Sequence, residues 1–150
     1  MIAIRAARPD DSAEILRLLR LLAAYEGEPG AVTADEETIR RDGFGKYFET
    51  LVAEQDGRVV GLLNLYQGYS SWRGAPMLMI HDFFLEEAAR GKGTGRAMVE
   101  EVRRLGLKRG CCRIEVNVVT WNESGRRFYE RLAFGALENW LPYRLRLDFE

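Results

Sequence analysis

A glycine-rich basic stretch, Arg90-Gly91-Lys92-Gly93-Thr94-Gly95-Arg96, separates two runs of different periodicity. Residues 77–85 before it are apolar and strand-like. Residues 97–109 after it carry Met98, Val102 and Leu105 at helical spacing and are closed by Gly110. A strand that passes into a helix through such a turn commits the chain to a fold that mixes the two elements. The turn is also suited to an anion, because uncapped N–H groups and the positive end of the helix dipole converge there. Glycine lets the backbone come close to a ligand. Arg90, Lys92 and Arg96 add formal charge that suits a di- or triphosphorylated group.

The spacing excludes the two commonest phosphate loops. No Gly-x-x-x-x-Gly-Lys-Ser/Thr is present, and the glycines run G-x-G-x-G in the second half of the chain, not G-x-G-x-x-G in an early βαβ unit. Taken alone, the pattern fits a solvated helix-entry turn equally well. A second signal decides between the two. After the strand-like residues 113–119 comes Asn122-Glu123-Ser124-Gly125-Arg126-Arg127-Phe128-Tyr129, with the tyrosine seven residues beyond the asparagine. Together with Arg90-x-x-Gly93-x-Gly95, this resembles the GNAT family of N-acetyltransferases. In that family the first motif holds the pyrophosphate of acetyl-coenzyme A and the second carries the Asn and the Tyr.

The resemblance covers nearly the whole chain for one branch, the diamine (spermidine/spermine) N-acetyltransferases. Its blocks are Leu22-Ala23-Ala24-Tyr25-Glu26, Asp42-Gly43-Phe44-Gly45, Leu51-Val52-Ala53-Glu54, Asp82-Phe83-Phe84-Leu85 and Trp121-Asn122-Glu123. The Asp-Gly-Phe-Gly block lies far from the coenzyme motifs and so speaks for the branch. The implied fold is mixed α/β: a twisted mixed sheet, flanked by helices and splayed between its fourth and fifth strands.

Local patterns give the same order. Residues 2–6 read as a strand, and Asp11 with Glu14 has capping-box character before a helix whose Ile15, Leu18, Leu19 and Leu22 share a face. Residues 33–36 start a second helix. Residues 50–55 and 58–66 are strands joined at Asp56-Gly57, a hairpin turn signal. Residues 67–76 read as a loop, 77–85 as a long buried strand, and 124–132 as a helix. The tail offers two more strands, at 136–138 and 143–147. No linker divides the chain, so residues 1–150 are expected to form one domain.

The resemblance implies acetyl transfer from a thioester to an amine, by direct attack within a ternary complex. The backbone of Phe83, Phe84 and Leu85 is implied to pair with the pantetheine arm. Arg90, Gly91, Lys92, Gly93, Thr94, Gly95 and Arg96 are implied to hold the pyrophosphate, with Asn122 and Gly125 also at the coenzyme. Asn122 fits as a helix N-cap as well. Tyr129 is the expected general acid, since a phenol of pKa ~10 donates to a thiolate of pKa ~8.5 with a small uphill step. Tyr25, Glu26, Asp82 and Trp72 are the expected acceptor-binding residues; a solvated helix-end charge for Glu26 and a packing anchor for Trp72 are the bland alternatives.

His81 departs from the branch, which carries an acidic residue there. A histidine titrates near neutrality and is able to relay the amine's proton, but when charged it repels a polycation. A core histidine bonded to a carbonyl is the other reading. The change leaves room for a smaller or zwitterionic amine, such as a lysine analogue. A second departure is Ala133, where related chains place a helix-stopping Gly; Gly135 lies two residues on.

Composition excludes other classes. Net charge is −1 with no broad basic face, which argues against nucleic acid, and no apolar run is long enough for a bilayer. The start, Met1-Ile2-Ala3-Ile4-Arg5, has no signal-peptide core, so the expected compartment is the cytoplasm. One histidine and the adjacent pair Cys111-Cys112 offer no metal-ligand spacing, and no metal is expected. The cysteines read as structural. The branch resemblance implies a homodimer. Protein or peptide N-acetylation, and a non-catalytic acetyl-CoA-binding module, are the alternative functions.

Overall fold

The computed structural model describes residues 1–148 of the chain. Its elements are β1 (Ile2–Ala6), α1 (Ser12–Tyr25), α2 (Glu36–Asp42), β2 (Glu49–Gln55), β3 (Arg58–Ser70), β4 (Ala75–Leu85), α3 (Thr94–Lys108), β5 (Ile114–Val116) and α4 (Glu123–Arg131). They fall in two compact units, Met1–Asn117 and a second from Val118 onward.

The first unit holds a five-stranded sheet in the order β1-β2-β3-β4-β5. The first four strands are antiparallel, and β5 joins β4 in parallel. The period-2 rule divides the side chains between two faces. Val52, Leu62 and Val59 pack on Ile15, Leu18 and Ile39 of α1 and α2, with Phe84 against the same cluster. Leu51, Leu63, Leu65, Leu78 and Ile80 take the opposite face, where Gly106 of α3 comes close to Leu78. Leu62, Leu63, Leu65 and Leu78 are fully buried, so truncating any of them to Ala costs about 2–5 kcal/mol.

Two β-bulges interrupt the alternation. In the second, β3 advances one residue, from Asn64 to Leu65, while β4 advances two, from Asp82 to Ile80, leaving His81 as the extra residue. Without it Asp82 would share the face of Ile80. With it, Asp82 is carried to the α1 face beside Asn64 and Phe84.

The β4–β5 pairing covers only Leu78, Met79 and Ile80. Residues 81–85 therefore have β3 on one side and, among the described residues, no strand on the other. This is the expected splay.

Four local expectations need correction. Asp11 does not cap α1 with its side chain; it accepts from the Arg8 N–H at 2.7 Å and from both terminal nitrogens of Arg5. That Arg5 contact, more than the Arg8 bond, holds the Asp11 carboxyl below its usual range. Residues 67–76 are not a loop, because β3 and β4 stay paired out to Ser70 and Ala75, and the turn is confined to 71–74, where Gly74 takes φ +64°. Helix α3 starts at Thr94, three residues before the apolar periodicity begins. Residues 136–138 and 143–147 form no strands. Their alternation is genuine, yet Tyr143, Leu145 and Leu147 are exposed, and among the described residues no strand pairs with them.

Candidate active site

The end of β4 runs through a short 3-10 turn, Glu87–Ala89, into the glycine loop. Gly91 (φ +75°) and Gly93 (φ +81°) are both left-handed, and a Cβ at either would meet nothing within 4 Å. Their backbone faces open space, and conformation, not crowding, demands glycine there. Gly93 is the N-cap of α3, and no side chain caps the helix. Thr94 and Gly95 are buried, whereas Lys92 and Arg96 are exposed. Uncapped amides flanked by two exposed cations suit a phosphorylated group.

The Arg90 side chain is engaged by other partners. Its Nε donates to the Leu85 carbonyl at 2.8 Å, and its guanidinium lies 5.3 Å from the Phe84 ring centroid and 5.7 Å from that of Tyr25. One side chain thus links the loop, the strand end and the last residue of α1.

On the α1 face, Glu26, the residue following α1, lies close enough to Asp82 and His81 to feel both charges. Burial, and then the Asp82 charge, push the Glu26 carboxyl above its usual range, while His81 pulls it back. Asp82 is held from below: Asn64 Nδ2 donates to Asp82 Oδ2 at 2.9 Å, and the Thr50 hydroxyl donates to Asn64 Oδ1. His81 Nδ1 meets the same Asp82 oxygen at 3.0 Å. His81 is 67% exposed and its ring centroid is 6.0 Å from that of Tyr66, so the core-histidine reading does not hold.

Tyr25, Glu26, His81, Asp82 and Phe84 therefore gather at one end of the sheet. Trp72 does not join them. It lies in the turn beyond the Ser70–Ala75 pair, six β3 residues from Asn64, and is 88% exposed. At ~3.3 Å per residue, six residues put it about 20 Å along the hairpin.

The sequence reading missed Thr50 and Asn64, both 4% exposed. The available signal was a lone Asn in the apolar run Leu62-Leu63-Asn64-Leu65 and a Thr opening Leu51-Val52-Ala53.

In the second unit, Asn122 is the N-cap of α4. Its Oδ1 accepts from the Gly125 N–H at 3.1 Å and from the Ser124 hydroxyl at 3.2 Å. Tyr129 is buried, with edge-on ring contacts to Phe128 at 5.1 Å and Phe134 at 5.2 Å. Ala133 takes φ +71°, so the helix stop was not shifted to Gly135; an alanine adopts the left-handed position itself.

Cys111 and Cys112 are free, and burial raises the Cys111 thiol, which disfavours a thiolate nucleophile. Among the described residues, no cluster of His, Cys, Asp and Glu has the makings of a metal site, and no helix is long and apolar enough to cross a membrane.

Residues 15–134 match the acetyltransferase (GNAT) family, to which the chain therefore belongs. It is 34% identical over 154 residues to the thialysine N-epsilon-acetyltransferase of Mus musculus, covering 94% of this chain and 90% of that one. It is 31% identical to the spermidine/spermine N(1)-acetyltransferase-like protein 1 of Homo sapiens, over 97% of this chain and 22% of that one. Both relatives fall in the branch to which the sequence blocks pointed. In fold it is similar to the crystal structure of an aminoglycoside acetyltransferase from a soil metagenome, with a TM-score of 0.81, 23% identity and 99% of each chain covered. The chain is thus an N-acetyltransferase by family, and that family uses acetyl-CoA as its acetyl donor.

Proposed function

We propose that this protein transfers the acetyl group of acetyl-CoA to a primary amine of a small polyamine or amino-acid-like acceptor, by direct attack within a ternary complex. The observation that carries the reading is the juxtaposition at the end of β4. A strand end that β5 pairs no further than Ile80 leads into left-handed glycines at an uncapped helix N-terminus, and carboxylates Glu26 and Asp82 lie on the α1 face of the same strand end.

The open backbone at Gly91 and Gly93, with Thr94, Gly95 and the exposed Lys92 and Arg96, fits a pyrophosphate. The backbone of Phe83, Phe84 and Leu85 would hold the pantetheine arm, and Arg90 braces the loop. Asn122 and Gly125 belong to the coenzyme side by motif. When bound, acetyl-CoA supplies an activated thioester. Glu26 and Asp82 would attract an ammonium group, with Tyr25 and His81 as further acceptor contacts; Trp72 is too far along the hairpin to take part. A positively charged acceptor has no lone pair until it loses a proton, and Tyr129 is assigned to protonate the leaving sulfur. Single-domain organisation and a cytoplasmic location, as expected from the sequence, and a homodimer, by the branch resemblance, complete the reading.

Relatives named for thialysine and for spermidine/spermine support a small amine over a protein substrate. Initial rates with both substrates varied test the mechanism. Intersecting reciprocal plots are expected for a ternary complex; parallel plots would reveal an acetyl-enzyme and contradict direct attack.

A further inference from the structure

We infer that Thr50 and Asn64, buried side by side in β2 and β3, are positioning residues that lock the Asp82 carboxylate in place for the cationic acceptor. The inference rests on the proposed acetyl transfer to a small amine.

The three side chains form a row across three strands. Thr50 is the register partner of Asn64, and Asn64 is the register partner of Asp82. Residues directly opposite one another in antiparallel strands are side-chain neighbours on one face. The Asp82 end of the row exists because of the bulge at His81, without which Asp82 would take the other face.

The row is directional. A side-chain amide donates through its nitrogen and accepts through its oxygen, whereas an ionised carboxylate only accepts. Asp82 Oδ2 therefore selects Asn64 Nδ2, at 2.9 Å, and this turns Asn64 Oδ1 toward Thr50, whose hydroxyl must donate. Reversing the amide would set its oxygen against the carboxylate. Each link has one workable orientation. His81 Nδ1 meets the same Asp82 oxygen at 3.0 Å, but it belongs to an exposed side chain, whereas Asn64 is held by the core.

Stability does not account for the pair. Thr50 and Asn64 are each 4% exposed; Thr50 precedes the buried Leu51, Val52 and Ala53, and Asn64 interrupts the buried apolar run 59–65. Val and Leu have nearly the shapes of Thr and Asn, and replacing both partners of a buried hydrogen bond by apolar groups is close to neutral or stabilising. The effect of the pair is on what it orients, the Asp82 carboxylate, which is 20% exposed at the end of the row. That orientation has a force to oppose. Burial, and then the Asp82 charge, raise the Glu26 carboxyl, so the two carboxylates repel. A free Asp82 side chain would swing away toward water. Held by Asn64, it stands beside Glu26 before the cation arrives, and binding then forfeits less side-chain freedom.

The test sets function against stability. The double variant Thr50→Val with Asn64→Leu should unfold at the wild-type denaturant midpoint or above it. It should nevertheless raise the acceptor KM by about fivefold or more, with the acetyl-CoA KM changed less than about twofold. Thr50→Val alone should raise the acceptor KM by about threefold, and Thr50→Ser, which keeps the hydroxyl, should restore it to within about twofold of wild type. In an Asp82→Ala background, adding Asn64→Leu should change the acceptor KM by less than about twofold, because Asn64 acts through Asp82. An unchanged acceptor KM in the double variant, an equal increase with and without Asp82, or equal KM values for Thr50→Val and Thr50→Ser would overturn the inference and leave the acetyltransferase reading intact. The Thr50 comparison decides the matter even where the Asn64 change impairs folding. No thiol release by the wild type with any amine would overturn both.

Discussion

Asn122 and Gly125 require one another. The Asn122 side chain caps α4 by accepting from the Gly125 N–H at 3.1 Å, and a Cβ on Gly125 would stand 2.5 Å from the Asn122 amide nitrogen. An exposed helical Gly replaced by Ala normally stabilises by about 1 kcal/mol. Here the sign should reverse, because the methyl group evicts a cap that contributes about 1 kcal/mol. Denaturant unfolding of Gly125→Ala should show a lower midpoint, and a higher one would mean that the cap is dispensable.

Ala133 gives the opposite expectation. Its φ of +71° places Cβ where an L-residue is strained by about 1–2 kcal/mol. Ala133→Gly relieves that strain and gives back part of it as chain entropy, so the variant should be more stable by about 0.5–1 kcal/mol. Thermal unfolding reads the shift directly.

Arg90 and its neighbours in the motif should separate experimentally. Arg90 is committed to the Leu85 carbonyl and to the rings of Phe84 and Tyr25. Arg90→Met should therefore lower the melting temperature while weakening acetyl-CoA binding less than about threefold, since the side chain's partners are internal. The pair Lys92→Met and Arg96→Met should weaken binding by about tenfold or more in low salt and much less in high salt, as exposed charges on a phosphate do.

Glu26 trades stability for binding. Burial and the Asp82 charge raise its carboxyl, so at neutral pH the ionised form is a burden on the folded state. The sign follows: acidification through the raised value relieves the burden, and the folded state gains from this group as pH falls. Glu26→Gln should raise the melting temperature at pH 7 and reduce the gain on acidification, while raising the acceptor KM by about tenfold through loss of one charged contact. An unchanged acceptor KM would remove Glu26 from the acceptor site.

Most of the fold was legible because its signals are local. The Asp56-Gly57 turn, the helical face of α1 and the Gly93 helix entry are each written in a few consecutive residues. The missed features depend on pairing. No period marks the bulge at His81, since it exists only as an unequal advance of β3 and β4. Gly68 and Pro76 suggested a loop, but Gly68 packs against Met77 within a paired hairpin. The tail's alternation promised strands that need a partner edge to form. For the site, the glycine loop and Asn122 were readable from motif, whereas the Thr50–Asn64 support and the Arg90 contacts required the strand register and the α1 end.

The most direct test of the central claim is thiol release from acetyl-CoA across a panel of spermidine, putrescine, lysine, thialysine, an aminoglycoside and a basic peptide, with Tyr129→Phe alongside. The account predicts release with a small amine and not the peptide, and at least tenfold slower turnover in Tyr129→Phe with acetyl-CoA binding retained. Release with the peptide alone, or none with any acceptor despite bound acetyl-CoA, would contradict it.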